Sequence, residues 1–206
     1  LSIGSAGQVV KVNSGATALE FGTLSSDFVK IASGSTTASN YIDIQGCFST
    51  DYKLYKLFSN FAFSSAGYLE VGLLKASDNS LDTATYYVRA NGEYSDNSSG
   101  NSRWSGGVNQ NTYAQSDSQG FRVVNTWQND KTDEHSMMEM TFDNPIATRK
   151  TMIQHTTSWS QSGYVGASHG IGMLDSTLSH SGIRLGASGS QNFTTTGYYA
   201  VYGLKN

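Results

Sequence analysis

The chain has 206 residues, a formal net charge of −3 and only 14% charged residues. Because Lys and Arg are not in excess, it offers no basic surface to neutralise phosphates, which argues against nucleic-acid binding. No run approaches the roughly 18 consecutive apolar residues of a membrane-spanning helix, so no membrane insertion is expected. A composition rich in Gly, Ser, Thr and Asn favours turns and strands over helices and predicts an all-β protein.

Residues 1–24 differ from the rest of the chain and predict a short extended connector or stalk. Glycines separate two extended runs, 8–12 and 18–21, and Asn13-Ser14-Gly15 is predicted to make the turn between them. Two strands this short are marginally stable unless they pack against another surface or another chain. The connector is therefore expected to depend on a neighbour.

Residues 25–206 are predicted to form a distal β-domain. Apolar patches with β-branched and aromatic residues alternate with turn clusters at a spacing of about ten residues, which indicates a sandwich or a barrel. The predicted strands are 28–31, 41–48, 54–63, 68–75, 85–90, 120–126, 136–142, 149–159, 164–173, 182–185 and 198–204.

One of these predicted strands alternates with a period of two. Tyr55, Leu57 and Phe61 share one face, which is expected to meet the core, whereas Lys56 and Phe58 share the other. The second face is still partly apolar and is available to a neighbouring sheet or subunit.

Two local features predict burial. The last strand, 198–204, is apolar enough that it is expected to dock into a sheet, because an exposed end would be an aggregation edge. The single cysteine, Cys47, cannot form an intrachain disulfide and is expected to pack as a small apolar residue.

The longest gap between predicted strands, 91–119, is polar and rich in glycine, yet it contains Tyr94, Trp104 and Tyr113. Structureless loops longer than about 15 residues are uncommon and are usually functional or disordered. Disordered segments are poor in aromatic residues. We therefore predict a functional loop, with a hairpin around 104–113.

The two ends of the chain resemble a known class of proteins. The opening GSAGQVVKVNSGATALEFG is similar to the Gly-Gln-Val-Leu, Asn-Gly-Thr, Leu-Glu-Trp connector of tailed-bacteriophage fibre proteins, particularly those of marine phages, with Val10 in place of Leu and Phe21 in place of Trp. The segments 52–69 and 182–204 resemble strands of the distal jelly-roll-like domains of these fibres. The middle of the chain, 91–131, shows little resemblance, as expected of a variable tip on a shared scaffold.

The resemblance implies a fold and a set of partners. It implies an antiparallel, jelly-roll-like β-sandwich that forms a homotrimer, is made in the bacterial host cytoplasm and becomes part of the virion. It also implies that the connector contacts other virion proteins while the sandwich is exposed to the host.

Aromatic residues among short polar side chains suggest carbohydrate binding, because sugars present apolar C–H faces together with hydroxyl groups. The candidate ligand-binding residues are Tyr94, Arg103, Trp104, Tyr113 and Trp127, the last of which is followed by Gln128 and Asn129. The alternative for each aromatic is packing in the core or between subunits. Trp159, in a strand-like run, is assigned to the core.

No catalytic residue, metal site or cofactor is predicted. The clustered acidic residues Asp130, Asp133 and Glu134 are better explained as solvated loop charge than as the spaced carboxylate pair of a glycosidase. Ser168 and His169 are adjacent in sequence, which is not how catalytic triads assemble. The four histidines are dispersed and form no metal-binding motif.

These observations predict a non-enzymatic virion fibre protein whose trimeric distal sandwich binds a host surface glycan during adsorption. The alternative from another functional class is a non-adhesive structural component, such as a head fibre or a capsid decoration protein.

Overall fold

The computed structural model describes residues 4–23, 27–65, 67, 69–84, 86–96, 121–124, 135–161, 164–187 and 191–205. In this part of the chain the regular structure consists of β-strands. They are β1 (Gln8–Val12), β2 (Leu19–Thr23), β3 (Phe28–Ser35), β4 (Tyr41–Ile44), β5 (Tyr52–Phe61), β6 (Leu69–Lys75), β7 (Tyr86–Asp96), β8 (Phe121–Val124), β9 (Ser136–Asp143), β10 (Thr151–Gln161), β11 (Tyr164–Leu174), β12 (His180–Ala187) and β13 (Tyr198–Lys205).

Two antiparallel sheets form a sandwich with jelly-roll connectivity. The larger sheet has the order β3-β13-β5-β9-β10-β11-β7 and the smaller one has the order β4-β12-β6-β8. When β3, β4, β5, β6, β8, β9, β12 and β13 are counted as strands one to eight, the sheets read 1-8-3-6 and 2-7-4-5, which is the jelly-roll order. Strands β10, β11 and β7 extend the larger sheet. The predicted all-β, antiparallel sandwich is confirmed.

A single apolar core lies between the two sheets. It combines Leu57 and Phe142 of the larger sheet with Val71 and Ile183 of the smaller one, all of them fully buried. Full burial of such side chains contributes roughly 1.5–3 kcal/mol each. Tyr55 also faces the core, and its hydroxyl donates a hydrogen bond to the Ser49 carbonyl. The predicted alternation of the β5 strand is therefore confirmed.

Several local predictions agree with the structure. Strand β13 lies between β3 and β5 in the interior of the larger sheet, so the end of the chain is docked. Cys47 is buried, and burial raises the pKa of its thiol to about 12, so it behaves as a small apolar residue. Trp159 is partly buried and packs against the core.

The two runs of the connector pair with each other. β1 and β2 form an antiparallel hairpin, and Asn13 organises the turn: its backbone N–H donates to the Ala18 carbonyl and its side chain accepts from the Thr17 N–H. The positive φ of this turn falls on Ala16, at 54°, rather than on Gly15. The predicted division between connector and sandwich, after residue 24, falls outside the described residues.

Three predicted boundaries are wrong by four residues or more, and the others that differ do so by one or two. The predicted strand 41–48 ends at Ile44, because Gly46 has a φ of +64° and turns the chain. Residues 32–35 continue β3, and residues 91–96 were expected to be loop but continue β7. Both β3 and β7 are edge strands of the larger sheet, where polar and glycine residues are tolerated and the apolar alternation fades.

Candidate functional site

The outward face of the larger sheet gathers most of the exposed apolar side chains. Outside the connector, ten large apolar residues are exposed in the part of the chain that the structure describes, and strand register places eight of them on this face. The eight are Phe28, Phe58, Tyr87, Met137, Met152, Val165, Ile171 and Tyr198. A concentration of exposed apolar residues on one face is a feature of interaction surfaces in proteins.

A groove of about 530 Å³ crosses the middle of this face. Its size is within the range of small-molecule binding sites. Phe58, Met137 and Tyr198 supply exposed apolar surface to it. Neutral hydroxyl and amide groups from β9 and β10 lie beside them, and these are Thr141, Gln154, Thr156 and Ser158.

The described part of the groove also contains one ion pair. The Lys56 ammonium on β5 binds the Glu139 carboxylate on the neighbouring strand β9, and both side chains are partly exposed. Because the two charges compensate each other, the groove is close to neutral while it offers both donors and acceptors. This combination suits a neutral, hydroxyl-rich ligand.

The aromatic wall of the groove is held in place by its neighbours. Phe58 contacts Tyr202 edge to face, with ring centroids 5.8 Å apart and an interplanar angle of 81°. The Lys56 ammonium lies 5.9 Å from the Phe58 ring centroid. A ring restrained in this way is a pre-ordered platform, because less side-chain entropy is lost on binding.

Beneath the groove, the inner face of β10 carries polar side chains between the apolar residues Ile153 and Trp159. His155 is buried, and neither ring nitrogen has a hydrogen-bond partner among the described residues. Burial, together with the charge of His169, lowers the pKa of His155 to about 4, so the imidazole is neutral near pH 7. The hydroxyls of Thr157 on β10 and Ser168 on the neighbouring strand β11 form a buried hydrogen bond at 2.7 Å.

The outward face of the smaller sheet has a different character. Arg184 on β12 forms a two-pronged ion pair with Asp43 on β4, with nitrogen–oxygen distances of 2.6 and 2.7 Å. The guanidinium stacks on the Tyr41 ring at 4.3 Å from its centroid. Both charges are thus engaged within the chain, and this cluster holds the strands together rather than presenting a free binding group.

His180 and Asp82 form a buried pair of the kind found in catalytic triads. His180 Nε2 lies 3.0 Å from Asp82 Oδ2, and His180 Nδ1 lies 3.2 Å from the Pro145 carbonyl oxygen. Burial opposes ionisation of Asp82, but hydrogen bonds from Ser176, the Ala84 N–H and His180 outweigh it and hold its pKa below the usual value. Since both ring nitrogens are engaged, His180 has none left to exchange a proton with a substrate.

Ser168 and His169 likewise form no catalytic pair. They are neighbours on β11, so their side chains point to opposite faces of the sheet: Ser168 is buried and His169 is exposed. The described residues contain no group of three or more His, Cys, Asp or Glu side chains placed to hold a metal ion. Within the same residues, no helix has the length and hydropathy needed to cross a membrane.

None of the sequence-predicted ligand residues is among the described residues that line this groove. Tyr94 belongs to β7, where its backbone pairs with Gly166 of β11. Arg103, Trp104, Tyr113 and Trp127 lie outside the described residues.

Most of the groove residues were not singled out by sequence reasoning. The available signals were the partly apolar second face of β5 and the run of polar residues 154–158 in β10, of which the fold exposes every second one. Neither signal specifies which strands become neighbours, and the groove depends on that.

No protein-family model, curated protein or solved structure matches this chain.

Proposed function

We propose that this chain is the distal, host-binding part of a virion fibre, and that it binds a neutral surface glycan as a homotrimer. The observation that carries the proposal is the groove on the larger sheet, where Phe58 and Tyr198 lie to one side of neutral hydroxyl and amide groups. Aromatic rings pack against the apolar faces of sugars, while short polar side chains exchange hydrogen bonds with sugar hydroxyls.

The described part of the groove favours binding over hydrolysis. Glycosidases generally act with two carboxyl groups roughly 5–10 Å apart. Among its described lining residues, Glu139 is the one carboxylate, and it is paired with Lys56.

The virion assignment rests on the likeness of the connector to phage fibre connectors. In this proposal the chain is made in the bacterial cytoplasm, and residues 1–24 link it to other virion proteins. Each groove binds weakly and reversibly. Three linked grooves raise the overall avidity through effective concentration, with no new contact at any single site.

The test uses the fluorescently labelled full chain and a panel of bacterial cells, with and without periodate oxidation of their surface sugars. We expect strong, periodate-sensitive binding to a few strains. Ser158→Trp fills the groove from an exposed strand position and should lower this binding more than tenfold. Ser33→Trp is the matched control, because Ser33 is exposed on β3 but does not line the groove.

Two results would contradict the proposal: unchanged binding by Ser158→Trp, or binding that resists periodate. The sequence-predicted tip residues are tested beside it. Loss of binding by the Trp104→Ala, Trp127→Ala double variant, with Ser158→Trp unaffected, would move the glycan site to the tip.

A second candidate function, a non-adhesive structural virion component, is favoured by one observation. The same sheet face exposes eight large apolar side chains, a surface that is also suited to burial against another protein. In that case Ser158→Trp would impair incorporation into virions, and the labelled chain would bind none of the cells, the host included.

A further inference from the structure

His180 lies at one end of the sandwich, where three connections between strands meet. It is the first residue of β12, and its imidazole is buried. Asp82 belongs to the connection between β6 and β7, and Pro145 belongs to the connection between β9 and β10. Ser176, in the connection between β11 and β12, donates a hydrogen bond to Asp82. One buried pair of side chains therefore holds the three connections together.

Both atoms that face the ring nitrogens of His180 are hydrogen-bond acceptors. Nε2 lies 3.0 Å from Asp82 Oδ2, and Nδ1 lies 3.2 Å from the Pro145 carbonyl oxygen. A neutral imidazole has one N–H group and one lone pair, whereas an imidazolium has two N–H groups. A neutral ring would therefore leave a lone pair facing an oxygen atom, unless the carboxyl group of Asp82 itself carried a proton.

The environment of Asp82 favours its ionised form. Oδ1 accepts a hydrogen bond from the Ala84 N–H at 2.9 Å. The Ser176 oxygen accepts from the Leu178 N–H at 3.2 Å, which leaves the Ser176 hydroxyl proton to bind Asp82. Burial raises the pKa of Asp82, but these hydrogen bonds and the one from His180 outweigh burial and hold the pKa below its usual value. The extra proton of the pair is thus assigned to the ring.

We propose that His180 is an imidazolium in the folded protein and that its ion pair with Asp82 is a proton-dependent latch. With the proton in place, the ring donates one hydrogen bond to each of two connections. Without it, one of the two buried oxygen atoms loses its donor and faces a lone pair, which is costly inside a protein. Raising the pH therefore loosens the connections at this end of the sandwich.

The other charged groups around the latch are bound to one another. Three ion pairs lie in the neighbouring segments, and they are Lys75–Asp78, Arg149–Asp143 and Lys150–Asp175. The Tyr86 hydroxyl donates to the Asp82 carbonyl oxygen at 3.1 Å, and burial raises the pKa of this hydroxyl, so it stays neutral. Among the described residues, Asp82 is therefore the group that balances the charge of His180.

The decisive measurement is the protonation of the His180 ring in the ¹⁵N-labelled full chain, read from long-range ¹H–¹⁵N NMR signals at about pH 7.5. An unperturbed histidine is mostly neutral at this pH. We expect both ring nitrogens of His180 to carry a proton, with His169, which is exposed on β11, as the reference ring in the same spectrum. A His180 ring with one protonated nitrogen would overturn the proposal.

Asp82→Asn removes the negative charge but keeps an acceptor oxygen. It leaves the charge of His180 buried and uncompensated, so the folding equilibrium constant at pH 6 should fall by about 100-fold or more. Asp143→Asn is the control, because it breaks the exposed ion pair with Arg149 near the same end of the sandwich and should have little effect. Equally small effects in the two variants would contradict a charged ring.

The pH dependence of stability separates the charge from packing. An unfolded histidine releases its proton near pH 6.5, whereas the latch keeps it. The folding equilibrium constant should then fall by up to about tenfold for each pH unit above 7, relative to His180→Gln, which cannot titrate. Asp82→Asn should lose this dependence. A constant difference between the native chain and His180→Gln from pH 6 to pH 8 would show that there is no latch.

Hydrogen exchange locates the loosening. The probes are the Ala84 N–H, which donates to the Asp82 carboxylate, and the backbone N–H of His180, which donates to the Pro145 carbonyl. Their protection factors should fall at least tenfold between pH 6.5 and pH 8. The Thr36 N–H, bonded at the opposite end of the sandwich, is the control and should keep its protection. An equal loss at all three amides, or a loss at none, would rule out a local latch.

Discussion

The two faces of the larger sheet are built from the same strands, yet one is buried and the other is exposed. On β5, Leu57 points inward and is fully buried, whereas the next residue, Phe58, points outward and is 38% exposed. The inner face is closed by the smaller sheet and the outer face has no such cover among the described residues. The exposed apolar residues of this sheet therefore follow from its having one uncovered face, and a binding function can develop on such a face.

The largest expected effect comes from adjacent substitutions on these two faces. Leu57→Ala should lower the free energy of unfolding by about 3 kcal/mol, because it removes buried surface and leaves a cavity. Phe58→Ala should cost about 1 kcal/mol or less but weaken cell binding more than tenfold. Urea denaturation and the cell-binding assay measure the two effects. Similar losses of stability in both variants would mean that the outer face is buried in the protein.

His155, the ionisable side chain on the inner face of β10, should make the stability of the fold depend on pH. The pKa of His155 is about 4 when folded, against 6.5 for the unperturbed group. Between these values the unfolded chain binds a proton that the folded chain does not, so stability falls as pH drops from about 6.5 to about 4. The expected loss is about 3 kcal/mol.

The control for this effect is His155→Phe, which cannot be protonated. The difference in unfolding free energy between the two proteins should change across pH 6.5 to 4 and stay constant above pH 7. Asp82 contributes separately and at lower pH. Its pKa is depressed in the folded protein, so the stability that it contributes is present above the pKa of the unfolded carboxyl group and is lost as the pH falls from there toward the folded pKa. A constant difference down to pH 4 would show that His155 is not buried as described.

The smallest expected change in stability lies on the outer face. Lys56→Met removes a partly exposed ion pair with Glu139, which should change the unfolding free energy by less than about 1 kcal/mol. Binding of periodate-sensitive cells should nevertheless fall several-fold, since the groove loses a donor and gains an uncompensated negative charge. A stability loss of several kcal/mol without any change in binding would reverse the roles assigned to the two faces.

Part of this structure could be predicted from the sequence. The alternation in β5 identified the core residues Tyr55 and Leu57, Asn13 marked the connector turn, and the apolar strand at the end of the chain predicted its docking. Each of these follows from interactions among residues that are near in sequence, or from the strand period itself. For the same reason the all-β sandwich was predictable, because strand content and turn spacing are local properties.

The tertiary structure alone decided which strands became neighbours. Nothing local requires β13 to insert between β3 and β5, or His180 to meet Asp82 across 98 residues. The groove depends on this pairing, since Phe58, Glu139 and Gln154 come from three strands that adjoin only in the folded sheet. Strand order is set by the burial of a shared core over long sequence separations, and no short segment of one sequence contains that information.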